Sequence, residues 1–267
     1  MAGARRPARR RWSAIERDLR QGGGPLIAGV DEVGRGPLAG PVVAFAVIMP
    51  PDARAIAGVD DSKRLDAAER VKLARRIRER ALALGIGAAS VREIERLNIY
   101  HATVLAMRRA LGRLRVAPDH VLVDGVRLRT LGVPHQAVVG GDDRCFSIAC
   151  ASIVAKVTRD DLMTRLARRH PGYRWERNAG YGTPDHLAGL DAHGLTPHHR
   201  RNFGRVGQLT LDLDATTACE HPAFADALAD GVDFSGEDSR ALDDPREAAD
   251  GGELLDSLQH PFTTEDR

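Results

Sequence analysis

The feature that most constrains the fold is an apolar run from Leu26 to Val30 that leads into two adjacent carboxylates, Asp31 and Glu32. A second apolar run over residues 41–49 follows the short sequence Gly34-Arg35-Gly36-Pro37. The two runs predict buried strands, and the glycines with the proline predict the turn between them. Two crowded anions repel each other unless a cation neutralises them, so the pattern indicates a metal site, although a polar hairpin turn would show the same local sequence.

Two later apolar runs also lead into carboxylates. Residues 120–124 predict a strand that ends at Asp124, and residues 136–139 predict a short strand followed by Gly140-Gly141-Asp142. Strand ends of one sheet lie close together, so all these carboxylates are expected at one rim. Oxygen ligands without companion His or Cys favour Mg²⁺ or Mn²⁺, in a site suited to phosphodiester cleavage. Neighbouring strand residues point to opposite faces, however, so Asp31 and Glu32 share a site only if the strand twists or bulges there.

Helical patterns alternate with the strands. Asp66 and Glu69 form a capping-box pattern that predicts a helix to about Leu84, followed by a short strand over residues 86–91. Two longer helices are predicted over residues 93–114 and 147–170. Strands that alternate with helices after an opening hairpin predict an α/β fold, a mixed sheet flanked by helices.

Charge is distributed unevenly along the chain. Residues 212–267 hold sixteen Asp and Glu against three Arg, whereas residues 1–211 hold 36 basic and 21 acidic residues. A basic body favours a nucleic-acid partner, although Arg-rich helices are often only solvated faces. We predict a basic, flexible extension over residues 1–24, a folded domain over residues 25–211 and an acidic, disordered tail over residues 212–267. The tail is interpreted as a solubilising segment, with folding on a partner and competition for the basic surface as alternatives.

Several classes of protein are disfavoured. No apolar run approaches the roughly 20 residues of a membrane span, and the Arg-rich start leads into no apolar signal segment. The cysteines at 145, 150 and 219 show no CxxC spacing, so neither a disulfide framework nor a thiolate zinc site is expected, and the expected location is cytoplasmic. The histidines at 186, 193, 198 and 199 match no zinc-ligand spacing and are predicted to be surface or hydrogen-bonding residues.

Seven separated blocks of this sequence together resemble bacterial ribonuclease HII. They are DEVGRGPLAGPVVA from residue 31, DSK at 61–63, NIYHATVLAM at 98–107, VLVDG at 121–125, SIACASIVAKVTRD at 147–160, GYGT at 180–183 and HHRRNF at 198–203. The resemblance covers residues 26–206 and implies a ribonuclease H-like fold with a C-terminal helical region, so that residues 25–211 form the catalytic domain. It further implies a monomeric enzyme that hydrolyses the RNA strand of RNA–DNA hybrids. In ribonucleotide-containing duplex DNA the enzyme would nick on the 5′ side of the ribonucleotide, leaving a 3′-hydroxyl and a 5′-phosphate.

The resemblance also assigns residues. It implies that Mn²⁺ or Mg²⁺ is bound by Asp31, Glu32, Asp124 and Asp142. Recognition of the ribose 2′-hydroxyl, the group that separates RNA from DNA, would fall to Gly34, Arg35, Gly36 and Tyr181. Phosphate contacts would come from Lys63, Ser152 and Lys156. Asp143 is an alternative fourth ligand, and Asp160 is expected in a helix salt bridge. Gly140 and Ala179 stand where the family usually has Lys, which puts single phosphate contacts in doubt.

Two rival interpretations remain at this point. Ribonuclease HIII would need a sizeable N-terminal substrate-binding domain, for which about 25 residues offer no room. A catalytically silent protein that binds hybrids is disfavoured because the carboxylate set is intact. A nicking assay on duplex DNA with one ribonucleotide separates the silent protein from the enzyme.

Overall fold

The structure, a computed structural model, describes residues 12–59, 62, 65–204, 206 and 207. In chain order its helices and strands are α1 (Ala14–Gln21), β1 (Ile27–Val33), β2 (Val42–Ile48), α2 (Ala67–Arg80), β3 (Ala83–Ala89), α3 (Val91–Gly112), β4 (His120–Asp124), β5 (Gln136–Val138), α4 (Gly141–Arg144), α5 (Phe146–Arg169), α6 (Trp175–Asn178) and α7 (Pro184–His193). The predicted α/β class is confirmed.

The strands form one mixed sheet in the order β3-β2-β1-β4-β5. β1, β2 and β3 are antiparallel neighbours, whereas β4 runs parallel to β1 and β5 runs parallel to β4. A parallel neighbour requires a crossover, which α3 supplies between β3 and β4. The opening hairpin therefore occupies one side of the sheet, and the strand that carries Asp124 lies directly beside β1.

Both faces of the sheet are covered, which explains the continuous apolar run of β2. All seven residues of β2 are buried, and alternate ones enter two different cores. Val43, Phe45 and Val47 pack in a core with α2, α5, α6 and α7. The other residues of β2 pack with α3 on the opposite face; they are Val42, Ala44, Ala46 and Ile48. Burial on both faces fixes the register of β1 and β2, and with it the position of the carboxylates.

The boundary between α2 and β3 differs from the prediction. The capping box of Asp66 and Glu69 is present, but α2 ends at Arg80, and β3 covers Ala83–Ala89 rather than residues 86–91. The helix-prone sequence of residues 81–84 is overridden because β3 pairs along the whole of β2. A Cβ on Gly85 or Gly87 would lie 2.0 Å from the carbonyl oxygens of Ala110 and Ala106, so these glycines allow α3 to pack directly on the strand.

Part of the predicted N-terminal extension is helical. The sequence predicts a flexible extension over residues 1–24, with mobility at least up to residue 11 and a short helical stripe of Trp12, Ile15 and Leu19. In the structure α1 packs on the sheet domain, and its Glu16 is fully buried. Trp12 makes an edge contact with the Phe146 ring at 5.0 Å between centroids and donates its indole N–H to the Ala53 carbonyl at 3.0 Å. The folded body therefore includes residues from position 12 onward.

Some predictions fall outside the described residues. They concern the Arg cluster of residues 5–11, the loop residues 60, 61 and 63, and the acidic tail of residues 212–267. Among the described helices, none has the length and hydropathy needed to span a membrane.

Candidate active site

Asp31 and Asp124 lie side by side on neighbouring parallel strands. The β1–β4 register pairs Val30 with Val123, which makes the next residue on each strand, Asp31 and Asp124, cross-strand neighbours. Both therefore project from the same face, the one covered by α5. Ser152 of α5 hydrogen-bonds the Asp31 carboxylate. Burial raises the pKa of Asp31 well above its ordinary value, and repulsion from Glu32 and Asp124 raises it further.

Glu32 follows on a strand that is regular at this point. β1 continues its antiparallel pairing with β2 through Asp31, Glu32 and Val33, so it has no bulge that would turn Glu32 to the face of Asp31. The Glu32 carboxylate instead accepts a hydrogen bond from Arg35 Nη1 at 3.2 Å. Burial raises the pKa of Glu32, Arg35 opposes that shift, and Asp124 adds to it. Glu32 is therefore close enough to Asp124 for a direct electrostatic interaction.

Asp142 lies on the short helix α4 rather than at a strand end as predicted. The preceding residue, Gly141, donates its backbone N–H to Asp124 Oδ1 at 2.6 Å, which holds the start of α4 against the end of β4. Asp142 is buried, with 7% of its surface exposed, whereas Asp143 is exposed. Burial next to Asp124 favours Asp142 over Asp143 as the fourth carboxylate of the cluster.

The donors of this cluster suit a hard divalent cation. They are carboxylate oxygens supplemented by the hydroxyl of Ser152, without a sulfur or imidazole ligand. Within the described ranges, no three His, Cys, Asp or Glu side chains are placed so that they could hold a metal ion together. The repulsion that raises the pKa of Asp31 is the interaction a cation between the carboxylates would relieve. The residues fit a divalent ion chemically, and their role as ligands stays a prediction.

The three predicted phosphate-binding residues have different surroundings. Ser152 is buried, and its hydroxyl lies 3.0 Å from the Ser62 hydroxyl. Ser152 also hydrogen-bonds the Asp31 carboxylate, so its contact in this structure is with a carboxylate of the cluster. Lys156 lies one turn later on α5, and its Nζ forms an ion pair with Asp160 at 2.6 Å, which confirms the predicted salt bridge of Asp160. Lys63 lies outside the described residues.

The predicted recognition residues meet at a junction of two loops, here called the glycine loop (residues 34–41) and the tyrosine loop (residues 179–183). A Cβ on Gly36 would lie 3.7 Å from Cε1 of Tyr181, so the ring lies beside this glycine. Tyr181 is 44% exposed. Leu38 N–H donates to the Gly180 carbonyl at 2.8 Å and joins the two loops. The loop junction thus presents a glycine and an exposed aromatic ring beside the carboxylate cluster, to which Arg35 connects it.

Two histidines form a buried hydrogen-bond chain under the tyrosine loop. Thr196 N–H donates to His199 Nδ1 at 2.9 Å, so in the neutral ring the proton is on Nε2, which lies 3.1 Å from His186 Nε2. That acceptor also receives the Trp175 indole N–H at 3.0 Å. His186 therefore carries its proton on Nδ1 and donates it to the Tyr181 carbonyl at 2.9 Å. The prediction of hydrogen-bonding histidines holds, but these two are buried rather than at the surface.

This chain predicts a pH-dependent stability. Burial, followed by the neighbouring His186, lowers the pKa of His199 from 6.5 to about 3. The folded protein therefore keeps His199 neutral where the unfolded chain takes up a proton. The free energy of unfolding should fall as the pH drops through 6.5, by about 1 kcal/mol between pH 6.5 and 5.5 from His199 alone. Urea unfolding at pH 7.5, 6.5 and 5.5 measures this slope.

The controls are two single substitutions. His199→Gln removes the buried titrating group and should flatten the slope, whatever its effect on stability at pH 7.5. His101→Gln removes an exposed histidine and should retain it. An unchanged slope in His199→Gln would show that the acid sensitivity comes from other groups.

Sequence reasoning missed two buried arginines, Arg159 and Arg200, which hydrogen-bond the carbonyls of the two loops. Both lie in blocks that resemble the family, but an Arg in a basic chain gives no local sign that it is buried. The only available signal was their position within those blocks.

Comparisons with known proteins identify the family and the fold of this chain. A family model described as Ribonuclease HII matches residues 28–206. The Ribonuclease HII of Granulibacter bethesdensis is 60% identical over 195 residues, which cover 72% of this chain and 89% of that protein. The ribonuclease H2 from Pyrococcus horikoshii, a solved structure, has a TM-score of 0.62 at 24% identity and covers 71% of this chain and 99% of its own. Bst-RNase HIII in complex with Mn²⁺ has a TM-score of 0.56 at 19% identity, with 80% and 79% covered.

The two structural likenesses establish the ribonuclease H-like fold, and the family match extends over the site residues from Asp31 to Tyr181. The chain therefore belongs to the ribonuclease HII family and is a ribonuclease H, an endonuclease that hydrolyses phosphodiester bonds.

Proposed function

We propose that this ribonuclease H is a metal-dependent enzyme that nicks duplex DNA on the 5′ side of an embedded ribonucleotide and also cleaves the RNA strand of RNA–DNA hybrids. The observation that carries the proposal is the pairing of Asp31 with Asp124 on adjacent parallel strands, with Glu32 and Asp142 beside them. Crowded, partly buried carboxylates next to an exposed loop junction are suited to metal-assisted hydrolysis of a bound phosphodiester.

The carboxylates are the proposed ligands of Mg²⁺ or Mn²⁺. When bound, such ions activate water and stabilise the departing 3′-oxygen of the substrate. The chain contributes the placement of the ligands: Ser152 orients Asp31, and the Gly141 N–H orients Asp124. The Mn²⁺ in the Bst-RNase HIII complex supports a divalent ion in this fold.

The loop junction is the proposed reader of the ribose. The 2′-hydroxyl is both a donor and an acceptor, so discrimination requires groups that reach that atom. Gly36 leaves room for close approach of the backbone, and the Tyr181 ring beside it offers a flat surface for the next sugar. A deoxyribose fits against the ring without the steric bulk of a 2′-hydroxyl. The junction therefore matches an RNA–DNA step in one strand.

The remaining contacts follow from charge. Lys156 lies on α5 one turn beyond Ser152, and 27% of its side chain is exposed despite the ion pair with Asp160. We assign Lys156 to a substrate phosphate, with Lys63 as a second cation. The excess of basic residues in positions 1–211 favours binding of the duplex backbone. A monomer suffices for this activity, and Cys145 and Cys150, which form no disulfide within the described part of the chain, are compatible with the cytoplasm.

A nicking assay tests the proposal. The substrate is an end-labelled DNA duplex with one ribonucleotide, and the matched control is the same duplex in DNA only. With Mg²⁺ or Mn²⁺, we expect a single cut 5′ of the ribonucleotide, and EDTA should reduce its rate by at least about a thousandfold, ~4 kcal/mol of activation free energy. Extension of the product by a DNA polymerase checks the 3′-hydroxyl.

The assay also separates the alternatives. Tight binding of the ribonucleotide duplex without a metal-dependent cut would identify a silent binding protein. Cutting of a long RNA–DNA hybrid but not of the single-ribonucleotide duplex would contradict the proposed junction reading and leave a general hybrid nuclease.

A further inference from the structure

Arg200 is a buried cation that hydrogen-bonds the backbone of the glycine loop. Its side chain is 0% exposed. Nη1 donates to the Arg35 carbonyl at 2.9 Å, Nη2 donates to the carbonyls of Gly34 and Gly40 at 2.5 and 2.7 Å, and Nε donates to the Gly40 carbonyl at 2.9 Å. The whole planar fork of the guanidinium is used on carbonyl oxygens.

Arg159 acts on the same region from α5. It is also 0% exposed and donates to the carbonyls of Ala39, Pro41 and Ala179 at 2.8–3.0 Å. It therefore joins the glycine loop to the tyrosine loop, while Arg200 holds the start of the glycine loop. Two backbone hydrogen bonds also join the glycine loop to the segment His198–Arg200. Gly40 N–H donates to the His198 carbonyl, and Arg200 N–H donates to the Leu38 carbonyl, both at 2.8 Å.

Neither arginine has an ion-pair partner within the part of the chain that the structure describes. Two full positive charges are thus buried near each other and are solvated by peptide carbonyls. Burial lowers the pKa of Arg159 to about 10 and of Arg200 to about 9, with repulsion from Arg159 contributing at Arg200. A core built only for stability gains little from two such cations, because burying like charges is costly. Each hydrogen bond that the two side chains donate goes to a carbonyl of the glycine loop or of the tyrosine loop.

The bonds to Gly34 and Arg35 fix the direction of the next amides. A trans peptide is planar, with its N–H opposite its C=O, and the described chain has no cis peptide. Since the carbonyls of Gly34 and Arg35 face Arg200 in the interior, the N–H groups of Arg35 and Gly36 face away from it. Gly36 is the residue that lies beside the exposed Tyr181 ring.

We propose that Arg200, assisted by Arg159, is a positioning residue for ribonucleotide recognition, which holds the glycine loop so that the backbone N–H groups of Arg35 and Gly36 face the substrate sugar. The inference rests on the proposed function, since it needs a ribose at the loop junction. It assigns a role to the segment His198–Arg200, whose Arg200 side chain is buried beneath the glycine loop. The selectivity of the enzyme then depends on a residue beneath the binding surface.

Arg200→Lys tests the inference. Lysine keeps a charge but offers a compact ammonium in place of the fork, so it cannot hold the Gly34, Arg35 and Gly40 carbonyls together. Binding of the full-length protein to a ribonucleotide-containing duplex and to the all-DNA duplex is measured by fluorescence anisotropy in EDTA, where no cutting interferes. The preference for the ribonucleotide should fall about tenfold. Hydrogen–deuterium exchange of the glycine loop should rise about tenfold, while exchange in β4 stays unchanged.

Arg109→Lys is the matched control. Arg109 also forms a bidentate pair, with Glu93, and donates to a backbone carbonyl, that of Ala88, but it does so on α3, on the opposite face of the sheet. It should lose stability without losing the ribonucleotide preference or loosening the glycine loop. If Arg200→Lys does not fold, Arg159→Lys is read in the same assays, because it removes the fork from the same loop.

The outcomes separate the two proposals. A wild-type protein that neither nicks nor prefers the ribonucleotide duplex contradicts the proposed function, and the inference falls with it. A wild-type preference that survives in full in Arg200→Lys and Arg159→Lys contradicts the positioning role alone. Equal loss of preference in Arg109→Lys would show general destabilisation and overturn the inference as well.

Discussion

Asp124→Asn should reduce nicking by about a thousandfold or more, ~4 kcal/mol of activation free energy, while the protein remains folded. Asp124 neighbours Asp31 across the β1–β4 pair, and its charge contributes to the raised pKa values of Asp31 and Glu32. Asparagine removes that charge, and with it the attraction for a divalent ion. Its amide oxygen still accepts the Gly141 N–H, so α4 keeps its position. Without metal, the free energy of unfolding should equal or exceed that of the wild type, because repulsion between carboxylates is relieved.

The nicking assay and thermal unfolding in EDTA, run on the same preparation, check both halves of this expectation. Asp143→Asn is the matched control: it removes an exposed carboxylate one residue from Asp142 and should retain activity. Asp142→Asn should instead behave like Asp124→Asn. Loss of activity in Asp143→Asn with retention in Asp142→Asn would reassign the fourth ligand. Undiminished nicking by Asp124→Asn would rule out the carboxylate mechanism.

Much of the fold could be predicted because the relevant signals are local. The apolar run of β2 marks a strand buried on both faces, and the capping box at Asp66 marks the start of α2. The end of α2 could not be predicted, since Ala and Leu at residues 81–84 favour a helix locally, and only pairing with β2 makes them extended. α3 also contains a kink, at Asn98, that could not be predicted from the sequence. Asn98, at φ 65°, caps a second helical segment by accepting the N–H groups of Tyr100 and His101.

The placement of Asp31 and Asp124 at the ends of neighbouring strands could be predicted for the same reason, because each follows an apolar run that is visible in the sequence, whereas the place of Asp142 on α4 could not. The buried residues that hold the glycine loop and the tyrosine loop could not be predicted. Arg159, Arg200, His186 and His199 act through backbone carbonyls and through one another, over separations along the chain of up to 166 residues. Their side chains are polar, and their burial depends on the path of loops that have no periodic pattern. Sequence analysis therefore finds carboxylates at strand ends more readily than buried side chains that hold loops.

Glu16→Ala should destabilise the protein by about 3 kcal/mol, far more than its place in a short N-terminal helix indicates. Glu16 completes the capping box of α1 through Ser13 N–H at 2.8 Å, but it also caps α5. Its carboxylate accepts the N–H groups of Phe146 and Ser147 at 3.1 and 2.8 Å and the Ser147 hydroxyl at 2.7 Å. The preceding residue, Cys145, offers α5 no side-chain cap. Alanine therefore leaves two buried amides unsatisfied at the positive end of a 24-residue helix.

Glu69→Ala provides the matched comparison in urea unfolding. Glu69 occupies the same capping-box position in α2, yet it is exposed, and among the described residues its carboxylate bonds only the Asp66 N–H, at 3.4 Å. Its loss should cost less than about 1 kcal/mol. Glu16→Gln, which keeps one acceptor oxygen but loses the charge, should fall between the two. Because α5 carries Ser152 beneath Asp31, Glu16→Ala should also slow nicking at temperatures where it is still folded. Equal stabilities of Glu16→Ala and Glu69→Ala would show that α1 is a local helix without a role in anchoring α5.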